Sequence, residues 1–136
     1  MPAHVLTVQV YYEDTDFSGV VYHANHLKYF ERAREHMLGA DELVRMWRDE
    51  KKGFVVYKAQ MTFKEGAVFG DLLDIKSTVK LESEVRLSFV QQVFRQHDQK
   101  LLVDGAVEMV CVGEQRQLIP IPLTPSLSRL LAGGGA

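Results

Sequence analysis

The stretch Tyr12-Glu13-Asp14-Thr15-Asp16-Phe17-Ser18-Gly19-Val20-Val21-Tyr22-His23-Ala24-Asn25-His26-Leu27-Lys28-Tyr29-Phe30-Glu31-Arg32-Ala33-Arg34 decides the fold. It takes the chain out of a strand, round a turn and into a helix, and it leaves a carboxylate, Asp16, in the turn. Upstream, Leu6, Val8, Val10 and Tyr12 alternate with Val5, Thr7, Gln9 and Tyr11. That two-residue period, rich in β-branched and aromatic side chains, predicts a strand ending near Tyr12. Downstream, Leu27, Phe30, Ala33 and Met37 recur at spacings of three and four, the period of one helix face, with Asn25 as the expected N-cap and Gly39 as the stop. Ser18-Gly19 supplies the bend, because glycine takes backbone angles closed to Val20 and Val21.

Working outward, Asp41-Glu42-Leu43-Val44-Arg45-Met46-Trp47 predicts a short second helical segment closed by Lys51-Lys52-Gly53. Four alternating runs follow. Residues 54–65 put Val55, Tyr57, Ala59, Met61 and Phe63 on one face, and residues 72–82 put Leu73, Ile75, Val79 and Leu81 there. Residues 85–95 offer Val85, Leu87, Phe89 and Val93, and residues 101–112 offer Leu101, Val103, Val107, Met109 and Cys111, after the polar turn His97-Asp98-Gln99-Lys100. The expectation is one strand, a helix, then a four-stranded meander: an α+β chain whose antiparallel sheet covers a single helix. Past Leu131 the chain has little to bury, so residues 132–136 are expected to form a flexible tail.

Composition narrows the function classes. With 136 residues and 46% hydrophobic content, one domain over residues 1–131 is expected. Sixteen basic against eighteen acidic residues, a formal charge of -2 and no basic block argue against a nucleic-acid partner. The N-terminal residues lead straight into a strand pattern, and no run of about 20 apolar residues is present, so no membrane span is expected. Cys111 is the only cysteine, which excludes an intrachain disulfide and fits a reducing cytoplasm.

The turn suggests a chemistry. A helix start leaves backbone N–H groups without intrahelical partners and carries partial positive charge, so it can hold a developing oxyanion. If Asp16 folds back towards that start, an ester or thioester carbonyl fits between the carboxylate and the N–H groups, which is half of an acyl-transfer site.

The same residues carry a family resemblance. Asp14-x-Asp16-x-x-Gly19-Val20-Val21-Tyr22-His23-Ala24-Asn25, followed by Leu27-x-x-Phe30-Glu31-Arg32-Ala33-Arg34, resembles the hotdog-fold acyl-CoA thioesterases of the 4-hydroxybenzoyl-CoA thioesterase type, and most closely their Tol–Pal-associated bacterial branch. The similarity continues through Phe69-Gly70-Asp71, Ser88-Phe89-Val90-Gln91 and Pro120-Ile121-Pro122, and so spans nearly the whole chain. It implies a hotdog fold, in which an antiparallel sheet wraps one central helix. It implies an acyl-CoA substrate, with Asp16 as the catalytic carboxylate and the backbone N–H of His23 polarising the thioester carbonyl. Gly19, Val20, Tyr22 and Asn25 then line the substrate. A homo-oligomer is implied too, as a dimer or dimer of dimers, together with a link to the Tol–Pal envelope system and no cofactor. The chain departs from the family pattern at His26, where an aromatic residue is common, and at Lys64-Glu65-Gly66-Ala67, where the family often has Arg-x-Pro-Ala, so those positions carry nothing over.

Each candidate competes with a plainer role. Asp14 reads as a turn former that bonds its own backbone, and Asp16 could be one as well. His23 and His26 with Asp14 or Asp16 make a nitrogen and oxygen set that could hold a metal, but nothing in the motif's chemistry calls for a cation, so none is expected. The His23 ring is also a candidate general base, although the resemblance assigns its role to the backbone. Glu31 is a reserve carboxylate that otherwise belongs, with Arg32, Arg34 and Glu35, to a solvated ion-paired face. The His-Gly-Gly loop of the thioesterases that place their acid on the helix is absent. Ser18 lacks a Gly-x-Ser-x-Gly elbow, and Cys111 sits in a hydrophobic strand as an inert thiol. Arg86 is the candidate for coenzyme A phosphates. Two further classes are a hotdog dehydratase, whose His-Phe-x-x-Pro loop is missing, and a non-catalytic acyl-ligand or partner-binding module at the cell envelope.

Overall fold

A computed structural model describes residues 3–133. The strands are β1 (His4–Gln9), β2 (Gly53–Phe63), β3 (Leu72–Ser83), β4 (Arg86–Arg95), β5 (Lys100–Val112) and β6 (Leu118–Ile119). The helices are α1 (Asn25–Leu38), α2 (Ala40–Arg45) and α3 (Pro125–Leu131). All strand pairs are antiparallel, in the order β1-β3-β4-β5-β2, with β6 on β5. The sheet wraps α1, and this is the hotdog arrangement.

Strand order corrects the expected meander. Only β3, β4 and β5 run as consecutive neighbours; β2 crosses to the far side of β5 and becomes an edge. Its faces differ from the alternation as well. Phe54 pairs with buried Cys111 and Val56 with buried Met109, although Val56 itself stays 40% exposed at the sheet edge, whereas Val55 pairs with Val110 on the opposite face. A bulge between Val56 and Lys58 absorbs Tyr57 and flips the parity, so that Ala59, Met61 and Phe63 then follow the expected face. A second register shift, between Val93 and Phe94, admits Leu102 to the core beside Val103 and leaves Leu101 only partly buried. Leu81, expected inside, is 37% exposed near the end of β3.

β1 stops at Gln9 rather than Tyr12 because its partner begins at Leu72. Tyr12–Asp14 forms a single 3-10 turn instead, with the Thr15 N–H bonded to the Tyr12 carbonyl at 3.1 Å. Helix α1 buries His26, Tyr29, Phe30, Ala33, Arg34, Met37 and Leu38. Its inner face is therefore rotated from the expected one: Leu27 is 42% exposed and His26 only 3%. The Phe30 ring lies so close to β5 that a Cβ on Gly105 would stand 2.5 Å from it. Asn25 is not the cap; Ala24 occupies that position without a side-chain bond, and Asn25 is the first helical residue.

After α2, Met46–Glu50 adopts π-helical geometry and ends at Lys51, with φ 55°. The last helix, α3, opens on Thr124, whose hydroxyl accepts the Leu127 N–H at 3.2 Å, and buries Leu127 and Leu130. Residues 134–136, most of the expected tail, lie outside the described residues.

Candidate active site

The turn between β1 and α1 is closed by its own backbone. The Asp16 N–H donates to the Val20 carbonyl at 2.9 Å, and the Gly19 N–H to the Asp16 carbonyl at 3.0 Å. Gly19 sits at φ +83°, a conformation that a side chain would strain. The turn then docks on the segment after β2: the Val21 N–H bonds the Ala67 carbonyl at 2.8 Å, and Val20 bridges to Val68. Gly66 makes this docking fit, because a Cβ there would stand 2.5 Å from Val20 Cγ1. The departure from the family pattern at Lys64-Glu65-Gly66-Ala67 is thus the surface on which the loop rests.

Asp14 and Asp16 divide the work. Asp14 Oδ2 accepts the Tyr11 N–H at 2.8 Å, and its carbonyl accepts both the Tyr22 N–H and Asn25 Nδ2, each at 2.9 Å, so Asp14 acts as the turn former. The Asp16 carboxylate is half-buried; its Oδ1 accepts the Ser18 N–H at 2.8 Å, and among the described residues Oδ2 has no hydrogen-bond partner. A carboxylate steadied at one oxygen and free at the other can act as nucleophile or base.

The helix start uses most of its donors itself. The Asn25, His26 and Leu27 N–H groups bond the carbonyls of Tyr22, His23 and Ala24 at 2.8, 3.2 and 3.2 Å. Among the described residues the N–H groups of His23 and Ala24 have no acceptor, so the free donors lie just before the helix, where its dipole is positive.

Aromatic rings cluster beside this segment. The His23 ring lies tilted against Tyr22 with centroids 4.6 Å apart and meets Phe63 edge-on at 5.9 Å. Phe63 also lies 6.0 Å from His26, whose ring meets Tyr29 at 5.6 Å. Burial pulls the pKa of His26 down to about 4, so its imidazole is neutral at pH 7, and among the described residues its Nδ1 has no partner. Burial also raises the Tyr29 phenol, helped by the nearby Asp14 carboxylate, although among the described residues no well-formed hydrogen bond closes on its hydroxyl. Neither the His26 burial nor the part played by Phe63 was read from the sequence; the family departure at His26 was the one available signal.

Of the sequence candidates, Asp16, Gly19, Val20, Tyr22, His23 and Asn25 come together in this loop. Arg86 does not join them: its Nη1 donates to the Tyr57 hydroxyl at 3.2 Å and its Nε stands 3.6 Å from Glu108. Glu31 faces solvent with its side chain 76% exposed. Arg34, expected on that solvated face, is instead buried and donates to Gln91 Oε1 at 2.9 Å. Among the described residues no three His, Cys, Asp or Glu side chains gather as a metal-binding group.

Comparison with known proteins identifies the family. The profile of the thioesterase-like superfamily matches residues 10–131. The chain is 36% identical over 106 residues to the acyl-CoA thioester hydrolase YbgC of Escherichia coli, covering 77% of this chain and 78% of that protein. Among solved structures, a probable thioesterase from Bartonella henselae is 32% identical, with a TM-score of 0.80 over 88% of this chain and 99% of the other. A 1,4-dihydroxy-2-naphthoyl-CoA thioesterase from Synechocystis, at 23% identity, shares the fold, with a TM-score of 0.86 over 96% of each chain. The chain belongs to the thioesterase-like superfamily of hotdog proteins. It is a thioester hydrolase.

Proposed function

We propose that the protein hydrolyses an acyl-CoA thioester to the free acid and coenzyme A, with Asp16 as the reacting carboxylate. The observation that carries this reading is that one loop holds an Asp16 oxygen and a His23 N–H that both lack hydrogen-bond partners among the described residues. In one route Asp16 Oδ2 attacks the thioester carbon, the thiolate leaves as coenzyme A, and water then cleaves the mixed anhydride. In the other, the carboxylate takes a proton from water as that water attacks, and the proton passes to the departing thiolate. In both, negative charge gathers on the carbonyl oxygen, where the His23 N–H stabilises it. The His23 ring then positions the loop against Tyr22 and Phe63, and Gly19, Val20, Tyr22 and Asn25 shape the approach.

Assembly follows from the sheet edge. β2 is 11 residues long, has a neighbour on one side only, and exposes Val55, Val56, Tyr57 and Phe63 by 40–48%. A long apolar edge of this kind is a template for pairing with a second strand, so the working form is a homodimer or dimer of dimers joined through β2. The loop motif favours the 4-hydroxybenzoyl-CoA type and its Tol–Pal-associated branch, acting in the cytoplasm where acyl-CoA is found. No described helix is long and apolar enough to cross a membrane.

The test is thiol release across short, long and aromatic acyl-CoAs, with wild type beside Asp16→Asn. Turnover that depends on Asp16 is the expected result. Binding of acyl-CoA without turnover on the whole panel would favour the non-catalytic envelope module instead.

A further inference from the structure

Beneath the second half of α1 lies a cavity of about 490 Å³, walled by Leu38, Leu43, Met46, Trp47, Phe54 and Met109. That volume is in the range of sites that hold small ligands. Charged side chains also line it, and Arg34 is the one that is buried, its side chain only 6% exposed. A cation buried this deeply normally needs a full set of partners. Among the described residues Arg34 has few: Nη1 donates to Gln91 Oε1 at 2.9 Å, and Nη2 stands 3.7 Å from Glu31, beyond hydrogen-bonding distance and towards a carboxylate that is itself 76% exposed.

The Gln91 amide is locked in place. Its Nε2 donates to Ser77 Oγ and to the Phe30 carbonyl, both at 3.0 Å, so Oε1 must face the guanidinium. The network therefore fixes one edge of a rigid, permanently charged fork on a residue that lines the cavity. An alkyl tail entering there would strip water from the guanidinium and return nothing to it. A carboxylate would replace that water with charge-assisted bonds in a two-point geometry.

We infer that this cavity receives the distal end of the acyl group and selects acyl-CoAs whose tail ends in a carboxylate, with Arg34 as the recognising residue. The inference rests on the thioesterase reading above. In the proposed dimer, antiparallel pairing of two β2 strands sets the Gly53 end of one beside the Phe63 end of the other. Gly53 and Phe54 line the cavity, and Phe63 packs on His23, so the cavity of one protomer adjoins the reacting loop of its partner. Arg32 and Lys52 at the lining add positive charge against Glu31 and Glu35.

The experiment compares matched pairs of thioesters from four to eight carbons, alkanoyl against ω-carboxyalkanoyl, such as hexanoyl-CoA and adipoyl-CoA. The best carboxylated substrate should exceed its alkanoyl match in kcat/KM by at least about tenfold, the worth of one hydrogen bond to a charged group. Glu31→Gln, a change at an exposed side chain, removes the competing carboxylate and should widen the ratio. Arg34→Lys keeps the charge but loses the fork and should narrow it, with turnover of the alkanoyl match reporting that the variant is folded. Equal kcat/KM within every pair, or a ratio unmoved by Arg34→Lys, overturns the inference and leaves the thioesterase reading standing. If no thioester on the panel is hydrolysed, that reading fails, and calorimetric titration with the free acids decides the inference: adipate binding more tightly than hexanoate supports it, and equal or absent binding overturns it.

Discussion

Asn25 donates its side-chain amide to the Asp14 carbonyl at 2.9 Å, tying the first residue of α1 to the incoming arm of the turn that holds Asp16. The side chain expected to cap the helix is thus spent on positioning the loop. Asn25→Ala should lose about 1 kcal/mol of stability, the net worth of one hydrogen bond. It should also lower kcat by roughly tenfold or more, because small displacements of a reacting group are expensive in rate. Denaturant unfolding and steady-state kinetics measure the two effects separately; an unchanged kcat would show that the loop holds its shape without this bond.

The central test is Asp16→Asn, which keeps the size of the side chain and removes its charge. General-base assistance alone is typically worth roughly a hundred to ten-thousand-fold, so kcat should fall at least about a hundredfold, with substrate still bound. Glu31→Gln should cost much less. Normal turnover in Asp16→Asn with collapse in Glu31→Gln, both folded by circular dichroism, would move the chemistry onto the helix.

His23 separates backbone from side chain. If its N–H is the oxyanion donor, His23→Ala should retain far more activity than Asp16→Ala, since the substitution keeps that donor and removes only the contacts with Tyr22 and Phe63. Equal losses in two folded variants would assign acid/base chemistry to the imidazole.

Stability should fall in mild acid because of His26. Its folded pKa, about 4, lies below the ordinary 6.5, so between these values the unfolded chain binds a proton that the folded chain refuses. The stabilisation from keeping His26 neutral is complete above about pH 6.5 and is lost as pH falls towards 4, to a total of a few kcal/mol. His26→Phe should flatten that part of the profile. His4, also lowered by burial and then by His36, leaves its own slope in the same direction. Denaturation midpoints at pH 7, 6, 5 and 4.5 would show it, and identical slopes in wild type and variant would place the His26 proton elsewhere.

Assembly is checked by light scattering at micromolar concentration, where a dimer or tetramer is expected from the unpaired β2 edge. A stable monomer with full thioesterase activity would remove the argument that the site lies at an interface.

The local signals in the sequence were strong where neighbours along the chain set the conformation. The Asp16 turn, the bend at Gly19, the helix through Phe30 and Ala33, and the alternation in β3 and β4 all follow from spacing and residue type, because each depends on contacts within a few residues. The motif from Asp14 to Arg34 carried the family as well. What spacing left open was decided across the fold. The crossing of β2 to the far side of β5, the bulge at Tyr57 that reverses its faces and the seat that Gly66 gives to Val20 arise between segments distant in sequence. Arg34 and His26 are the sharpest cases. Both are polar side chains on a helix and read as solvent-facing or ligand groups, yet the sheet closes over them. Burial is a property of everything that packs around a residue, so only the tertiary structure could show that one became a held cation and the other a neutral ring.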